Sequence, residues 1–503
     1  MEEKTEVFEF HDSGRERKKN YFFAIFNLMN AIVGAGMLSL SFAVKSLGIL
    51  LYGIMLVVVG VVALYSIVLL LRMCDITGHR SYEEIAFAAF GKRGMTFVIL
   101  CITLHTFGCL VGFLMVVKYE LPSVVKALIG IDPCVSYWFT SPDLLVVIAV
   151  ITIVVPLASA KDINFLGYTS GFAMLCMIFC AITIVVQYFE LPCPLEPSMP
   201  TEYWQFMFHN NDSCAINNAT SYLIEKHETV FRNSEIDDFS NSRCELEQPI
   251  ADFYLNIPAQ SCEPKLVSLS LASVYAIPTM VFAFQCHASV LPIYAELKQD
   301  SSRMRSASTI AICIVFVMYL VASCFGYLTF TDATGSELFV MYSGYSMNDP
   351  LTLLGRILVL CCVILSAPVL HFPCRKAIIV GIWGTEALPG GSKFSLKIWL
   401  LTMVCILVSV IIMVLYVPNI KDVFGLGGAT VATLLMIVMP SGLHYKLSKD
   451  SGTLMKRTNQ LVVFVGLAFG IFSVGLIIQD WLTDYPKLNP CQILQNSLQT
   501  SNK

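Results

Sequence analysis

Two side-chain amides stand inside the first long apolar stretch of the chain, where polar side chains are scarce. Asn27 and Asn30 are three residues apart, so they share one face if this stretch is helical. Gly34 and Gly36 follow them. Where a helix is interrupted in an apolar environment, the freed backbone carbonyls and amides can coordinate an ion or a polar substrate. Close packing between helices is the alternative explanation of the two glycines.

A second polar interruption lies in a later apolar stretch, after Pro278. Its sequence is Phe282-Ala283-Phe284-Gln285-Cys286-His287-Ala288-Ser289. The two interruptions fall in the first and sixth apolar stretches. This spacing is compatible with an inverted repeat of five plus five helices, which would bring two broken helices to one site.

The eighth apolar stretch contains Ser366, followed two residues later by Pro368. Proline removes a backbone donor and clashes with the carbonyl four residues before it. A hydroxyl beside loosened carbonyls suits a hard cation, which prefers oxygen ligands. A serine hydroxyl that bonds back to its own helix explains the same pattern without any ion.

Titratable side chains are nearly absent from the apolar stretches. No Asp or Glu is predicted well inside a span, because Asp143, Glu190, Asp349 and Asp480 all fall at predicted edges. Proton-driven carriers usually relay protons through buried carboxylates or histidines, so neutral oxygens favour sodium. His105, midway along the third stretch, is the one buried titratable candidate. It is either a pH-sensing residue or a hydrogen-bonded packing residue.

These groups need apolar helices to position them, and the composition supplies such helices. The 503 residues are 56% hydrophobic and 14% charged, whereas globular chains carry about 25% charged residues. Because about 20 apolar residues span the hydrocarbon core, we predict an all-α polytopic membrane protein with eleven transmembrane helices. They are expected at 22–44, 49–72, 95–117, 143–159, 168–190, 267–292, 309–330, 350–372, 396–416, 427–443 and 460–481.

The predicted organisation is a polar tail at 1–20, a transmembrane domain at 21–482 and a second tail at 483–503. A long polar segment at 191–266 separates the fifth and sixth helices. Most of the 32 lysines and arginines fall on the same side as the N-terminal tail. The positive-inside rule therefore predicts a cytosolic N-terminus, with the C-terminus and the segment 191–266 extracellular or lumenal.

The segment 191–266 also carries signs of a secretory environment. Asn211 and Asn218 begin N-glycosylation sequons. Four cysteines here lie outside the apolar stretches, and four cysteines allow three pairings. They are Cys193, Cys214, Cys244 and Cys262.

Several function classes find no support in the sequence. The net charge of -4 and the lack of a basic block argue against a nucleic-acid partner. No nucleophile–base set or metal-ligand spacing stands out, so we expect neither an enzyme nor an organic cofactor. The lipid bilayer, a small solute and a sodium ion are the expected partners.

The chain resembles the sodium-coupled neutral amino acid transporters, the system A and system N carriers of the amino acid/auxin permease group. The resemblance runs nearly end to end, and the stretches are specific as an ordered set. They are Phe26-Asn27-Leu28-Met29-Asn30-Ala31-Ile32-Val33-Gly34, Ser81-Tyr82-Glu83, Glu120-Leu121-Pro122, Phe165-Leu166-Gly167-Tyr168-Thr169-Ser170, Cys286-His287, Val290-Leu291-Pro292-Ile293-Tyr294, Glu296-Leu297, Phe325-Gly326-Tyr327-Leu328-Thr329-Phe330 and His371-Phe372-Pro373.

The resemblance implies a leucine-transporter-like fold, with two inverted five-helix repeats and an eleventh helix. It implies one sodium ion between spans one and eight, bound by Asn30, Ser366 and the carbonyl of Val33. The family usually has threonine at the position of Ser366, so this chain keeps the oxygen and loses a methyl group. A neutral amino acid, of the glutamine type or small, would be met largely by backbone groups. The residues implied are Val33, Gly34, Ala35, Gly36, Phe282, Ala283, Phe284 and Gln285.

The resemblance also implies a disulfide between Cys193 and Cys262. In span three the chain has His105-Thr106 where the family carries Gln-Asn, which bears on substrate range, pH response and sodium dependence. A proton-coupled or organellar amino acid carrier of the same fold and a non-transporting amino acid sensor are the alternatives. We expect a plasma membrane protein, with a lysosomal or other endomembrane location as the alternative.

Overall fold

The structure is a computed structural model, which describes residues 21–34, 36–131, 137–159, 166–191, 263–268, 273–297, 300–342, 349–389, 391–417, 419–448 and 452–483. Apart from short turns, these residues form helices, and none of them lies in a β-strand. The helices are α1 Tyr21–Val33, α2 Gly36–Leu47, α3 Ile49–Thr77, α4 Tyr82–Ile129, α5 Pro142–Ala158, α6 Leu166–Glu190, α7 Ser273–Ala283, α8 His287–Glu296, α9 Ser301–Phe330, α10 Leu338–Tyr342, α11 Pro350–Trp383, α12 Leu396–Tyr416, α13 Ile420–Leu447 and α14 Thr453–Thr483.

Every predicted span has a helical counterpart. Among the described residues, nine segments are long and apolar enough to cross a membrane: α3, α4, α6, α7 with α8, α9, α11, α12, α13 and α14. The pair α1 and α2 passes the same test as one span bent by 51°. The fourth predicted span corresponds to α5, which is shorter. The all-α polytopic fold is thus confirmed, while the count of eleven crossing helices stays a prediction.

The outer faces of the helices agree with a lipid environment. In α14, Phe464, Ile471 and Phe472 are 71%, 74% and 67% exposed. Large apolar patches of this kind on a protein surface mark contact with a membrane or a partner. The polar side chains discussed below lie instead in the interior of the bundle.

The first span is broken at Gly34, whose φ of +29° is unfavourable for a residue with a Cβ. A Cβ at Gly34 would also lie 2.7 Å from the ring of Phe113 in α4. At Gly36, where α2 begins, a Cβ would lie 3.0 Å from the Cβ of Ala283 at the end of α7. The glycines therefore allow the break in the first span to pack directly against α4 and α7.

Helix α4 extends beyond its predicted span at both ends. It begins after Ser81, whose hydroxyl accepts a hydrogen bond from the amide of Glu84, and it is kinked at Gly91. At the other end it continues through charged residues that the hydropathy pattern places outside the span. There Lys118 pairs with Asp143 at 2.9 Å, which reduces the cost of a charge near the membrane.

Candidate functional site

Asn30, Ser366 and Ser170 meet from three helices although they are far apart in the chain. The hydroxyl of Ser366 in α11 donates to Asn30 Oδ1 at 3.0 Å. Asn30 Nδ2 donates in turn to Ser170 Oγ in α6 at 3.3 Å. All three side chains are buried, with at most 4% of each exposed. The structure brings together the two side chains predicted for sodium and adds Ser170, whose only sequence signal is its place in the Phe165–Ser170 stretch.

The hydroxyl of Ser366 crosses to α1, although serines in apolar helices often bond back to their own helix. Ser46 and Ser308 do bond back in this way, to Phe42 and Met304. Pro368 lies inside α11 and has no amide hydrogen to offer the carbonyl one turn before it. Neutral oxygens and a loosened helix form a donor set that suits a hard monovalent cation.

The second broken span is interrupted later than the sequence predicts. Phe282 and Ala283 still belong to α7, and the non-helical residues are Phe284, Gln285 and Cys286. The amides of Phe284 and Gln285 are satisfied by the carbonyls of Met280 and Phe282. Helix α7 can continue to Ala283 because those bonds complete its last turn. The carbonyl of Ala283 accepts neither of these bonds and receives the hydroxyl of Tyr319 instead.

One hydroxyl joins the two breaks. Tyr319 of α9 directs its Oη at the carbonyl oxygens of Ile32 at 2.8 Å, Ala283 at 3.1 Å and Val33 at 3.3 Å. Tyr319 is fully buried, and its ring meets Phe284 edge to face at 5.3 Å. The last carbonyls of a helix have no partner within that helix, so this phenol supplies the missing donor to α1 and α7. No sequence pattern singles out this tyrosine, because tyrosines are common in apolar helices.

Aromatic side chains form a wall beside the second break. Phe282 stacks on Phe424 of α13 with ring centroids 4.9 Å apart, and it lies 5.3 Å from the ring of His105. Glycines make this approach possible: a Cβ at Gly112 would lie 2.4 Å from Phe424, and one at Gly427 would lie 2.8 Å from Phe282. A small apolar side chain of a substrate would find favourable contacts here.

His105 is buried at the centre of the bundle, as predicted. Its Nε2 lies 3.5 Å from the sulfur of Cys109, one turn along α4. Within the described part of the chain, its Nδ1 has no hydrogen-bond partner. The position is therefore close to the second break and polar on one side, and whether it senses pH stays a prediction.

His105 is not the one buried histidine, because His287, His371 and His444 are also buried in the described structure. His287 belongs to the Cys286-His287 stretch. His287 begins α8, and its Nδ1 lies 2.7 Å from the side-chain oxygen of Gln285. Its Nε2 lies 2.6 Å from the hydroxyl of Ser66 in α3. These contacts fix the polar end of the second break to α3.

Glu120 is a buried carboxylate that the hydropathy pattern does not reveal, and whether it lies within the membrane stays a prediction. Because α4 continues to Ile129, Glu120 lies inside the helix, and it is fully buried. Its Oε2 is 3.7 Å from Nε of Arg356 near the start of α11. Glu337, between α9 and α10, is also buried, and burial raises its pKa well above its usual range. The Glu120 carboxylate acts in the same direction, and Arg356 opposes it.

Several predicted site residues lie outside the described residues. Among them are Ala35 at the first break, the cysteines Cys193 and Cys262, and the sequon residues Asn211 and Asn218. The tails at 1–20 and 484–503 also lie outside them.

Comparison with known proteins agrees with this geometry. The family model for transmembrane amino acid transporter proteins matches residues 17–210 and 259–479. The chain is 34% identical over 462 residues to sodium-coupled neutral amino acid symporter 2 of Danio rerio, covering 91% of this chain and 82% of that protein. It is 34% identical over 499 residues to sodium-coupled neutral amino acid transporter 4 of Homo sapiens, covering 96% and 88%.

The matched ranges include both breaks, the buried Asn30–Ser366 contact and every helix of the bundle except the last residues of α14. The resemblance noted from the sequence is confirmed by these relatives. A match over most of the chain is enough to assign the family, and the chain belongs to the transmembrane amino acid transporter family.

Proposed function

We propose that this protein is a sodium-coupled symporter of neutral amino acids, of the glutamine type and small ones. The observation that carries the proposal is the contact between Asn30 and Ser366, which joins the broken first span to α11 at 3.0 Å. The side chains that hydrogen-bond to Asn30 in the described structure, Ser366 and Ser170, are neutral hydroxyls. Such a site binds a cation through dipoles, and it contains no carboxylate to carry a proton.

The substrate would bind where the two spans are broken. Helices α1 and α7 end there, and their carbonyl ends attract an ammonium group; α2 and α8 begin there, and their amide ends attract a carboxylate. Both ends of a zwitterion thus find complementary backbone charge. The side chain of the substrate would lie against Phe282 and Phe424. Gly34, Ala35 and Gly36 on one side and Phe284 and Gln285 on the other are the proposed backbone contacts.

Sodium binding and substrate binding would be coupled through α1, because the proposed sodium ligand Asn30 lies close to the break where the substrate binds. Asn30 lies one turn before the break at Gly34. An ion bound by Asn30, Ser366 and backbone near Val33 holds the end of α1 against α11, and so orders the break that receives the substrate. Binding that orders a segment makes the next binding step less costly.

The topology and modifications follow as further proposals. The plasma membrane is the proposed location, with the N-terminus cytosolic and the C-terminus extracellular. The segment 191–266 would then be extracellular, glycosylated at Asn211 or Asn218, and closed by a disulfide between Cys193 and Cys262. Non-reducing peptide mapping that found both cysteines as free thiols would exclude this disulfide.

Uptake by the purified protein in liposomes tests the proposal. Radiolabelled glutamine and alanine are supplied under an imposed inward sodium gradient, an inward proton gradient, or a choline gradient. We expect accumulation with sodium alone. Accumulation driven by protons in choline medium would refute sodium coupling. Saturable binding without any uptake would refute transport and support a sensor.

A further inference from the structure

No step of the proposed transport cycle uses the buried hydroxyl of Ser170. It lies near the start of α6 and is 1% exposed. Its oxygen accepts the hydrogen bond from Asn30 Nδ2 at 3.3 Å. The contact joins residues 140 positions apart in the chain. A buried polar contact over that separation constrains how α1 and α6 pack together.

The orientation of an asparagine amide depends on its partners, because its oxygen accepts and its nitrogen donates. At Asn30 the hydroxyl of Ser366 donates to Oδ1, and this orientation of the amide is held while Ser170 accepts from Nδ2. Nδ2 needs an acceptor on its opposite side, and Ser170 supplies it. A carbonyl-type oxygen has two lone pairs, so Oδ1 keeps one for a cation after accepting from Ser366.

We infer that Ser170 is a positioning residue for the cation site, which fixes the amide of Asn30 with its oxygen toward the ion. The inference rests on the proposed function, in which Asn30 binds sodium. An amide turned the other way would present two N–H donors to a cation and repel it. The site is therefore assembled from α1, α11 and α6, and α6 contributes through the amide and not through contact with the ion.

Removing the hydroxyl of Ser170, which accepts from Asn30 Nδ2, should weaken sodium binding by about the free energy of one hydrogen bond. For Ser170→Ala we expect the sodium concentration for half-maximal response to rise about 3- to 10-fold. Ser170→Thr keeps the hydroxyl and should stay within about twofold of the wild type. Ser170→Cys is the substitute if the alanine variant does not fold. Its side chain is close in size to serine, but sulfur is a weak acceptor, so we expect the same rise in the sodium concentration for half-maximal response.

The matched control is Thr183, a buried hydroxyl on the same helix that has no hydrogen-bond partner among the described residues. Thr183→Val removes an oxygen from the interior of α6 at a distance from Asn30. It should leave the sodium dependence unchanged. A general loosening of α6 would shift both variants, whereas loss of the amide's partner shifts only the Ser170 variants.

The experiment measures sodium-dependent thermal stabilisation of the purified full-length protein, together with sodium-dependent glutamine uptake in liposomes. Ser170→Ala is measured alone and combined with Asn30→Ala. Because Ser170 acts through the Asn30 amide, it should have no further effect once that amide is gone. An equal shift in the Asn30→Ala background would overturn the inference.

Two other outcomes separate the inference from the proposed function. If Asn30→Ala shifts the sodium dependence and Ser170→Ala does not, the sodium site stands and the role of Ser170 is refuted. If neither variant shifts it, the proposed sodium site itself is wrong. In that case the positioning role falls with it.

Discussion

Replacing Tyr319 by phenylalanine removes one oxygen and keeps the ring that packs on Phe284. That oxygen is the donor shared by the carbonyls of Ile32, Val33 and Ala283, at 2.8, 3.3 and 3.1 Å. A phenol has one hydrogen, so it makes one full bond at a time. Its loss leaves buried carbonyls at both breaks without this donor, which costs about 1–3 kcal/mol.

The effect should fall on substrate binding, because the breaks are where the substrate is proposed to bind. If the whole cost is borne by the binding-competent conformation, the apparent substrate affinity falls about 5- to 150-fold. Uptake of radiolabelled glutamine, measured at saturating sodium, gives the KM of Tyr319→Phe. Thermal unfolding of the same preparation shows whether the bundle remains intact.

Tyr82→Phe is the matched control for this substitution. Tyr82 is also a buried tyrosine whose hydroxyl donates to a carbonyl, that of Leu435, at 3.0 Å, but it lies at the start of α4. It should lower the thermal stability and leave the KM unchanged. Equal KM values for Tyr319→Phe and the wild type would refute the idea that one hydroxyl holds the two breaks.

Three further predictions concern Ser366, His105 and Glu337. Ser366→Ala should raise the sodium concentration for half-maximal uptake about 5- to 150-fold while Ser366→Thr keeps transport, and equal values for the alanine variant and the wild type would contradict the site. His105→Gln tests the pH-sensing role: a flatter pH profile of uptake between about pH 6 and 8 would support it, whereas an unaltered profile would leave His105 a packing residue. For Glu337, whose pKa burial raises above 4.5, protonation favours the folded state, so its stabilising contribution is present at low pH and is lost as pH rises through the raised pKa. Thermal unfolding of Glu337→Gln in detergent should therefore vary less with pH above about 4.5 than that of the wild type, and parallel curves would contradict this.

The helices could be predicted from the sequence because lipid-facing spans must be apolar along their whole length. The break at Gly34 was also predictable, since two glycines after two amides are unusual in such a span. The contact of Asn30 with Ser366 came from the family resemblance, because no local pattern relates residues 336 positions apart. Periodicity alone could not have found it.

The errors have physical causes that a hydropathy pattern does not contain. Hydropathy predicts an exposed Glu120 beyond the end of the span, whereas the structure buries it, because Arg356 from α11 lies 3.7 Å from it and offsets the cost. The sequence predicts the second break two residues early, because Phe282 and Ala283 are apolar in either conformation. Ser170 and Tyr319 were missed because each acts through partners on other helices.

Helix α1 makes two sets of contacts, one at Asn30 and one at its last carbonyls, and together they explain how it could bind both sodium and the amino acid. Asn30 is held from one side by α11 and α6, through Ser366 and Ser170. Two residues later the carbonyls of α1 are held by α9, through Tyr319, which also reaches α7. An ion that draws α1 toward α11 must therefore act on the hydroxyl shared with the second break. Because coupling free energies are reciprocal, a substrate that orders the breaks must tighten sodium binding by the same factor.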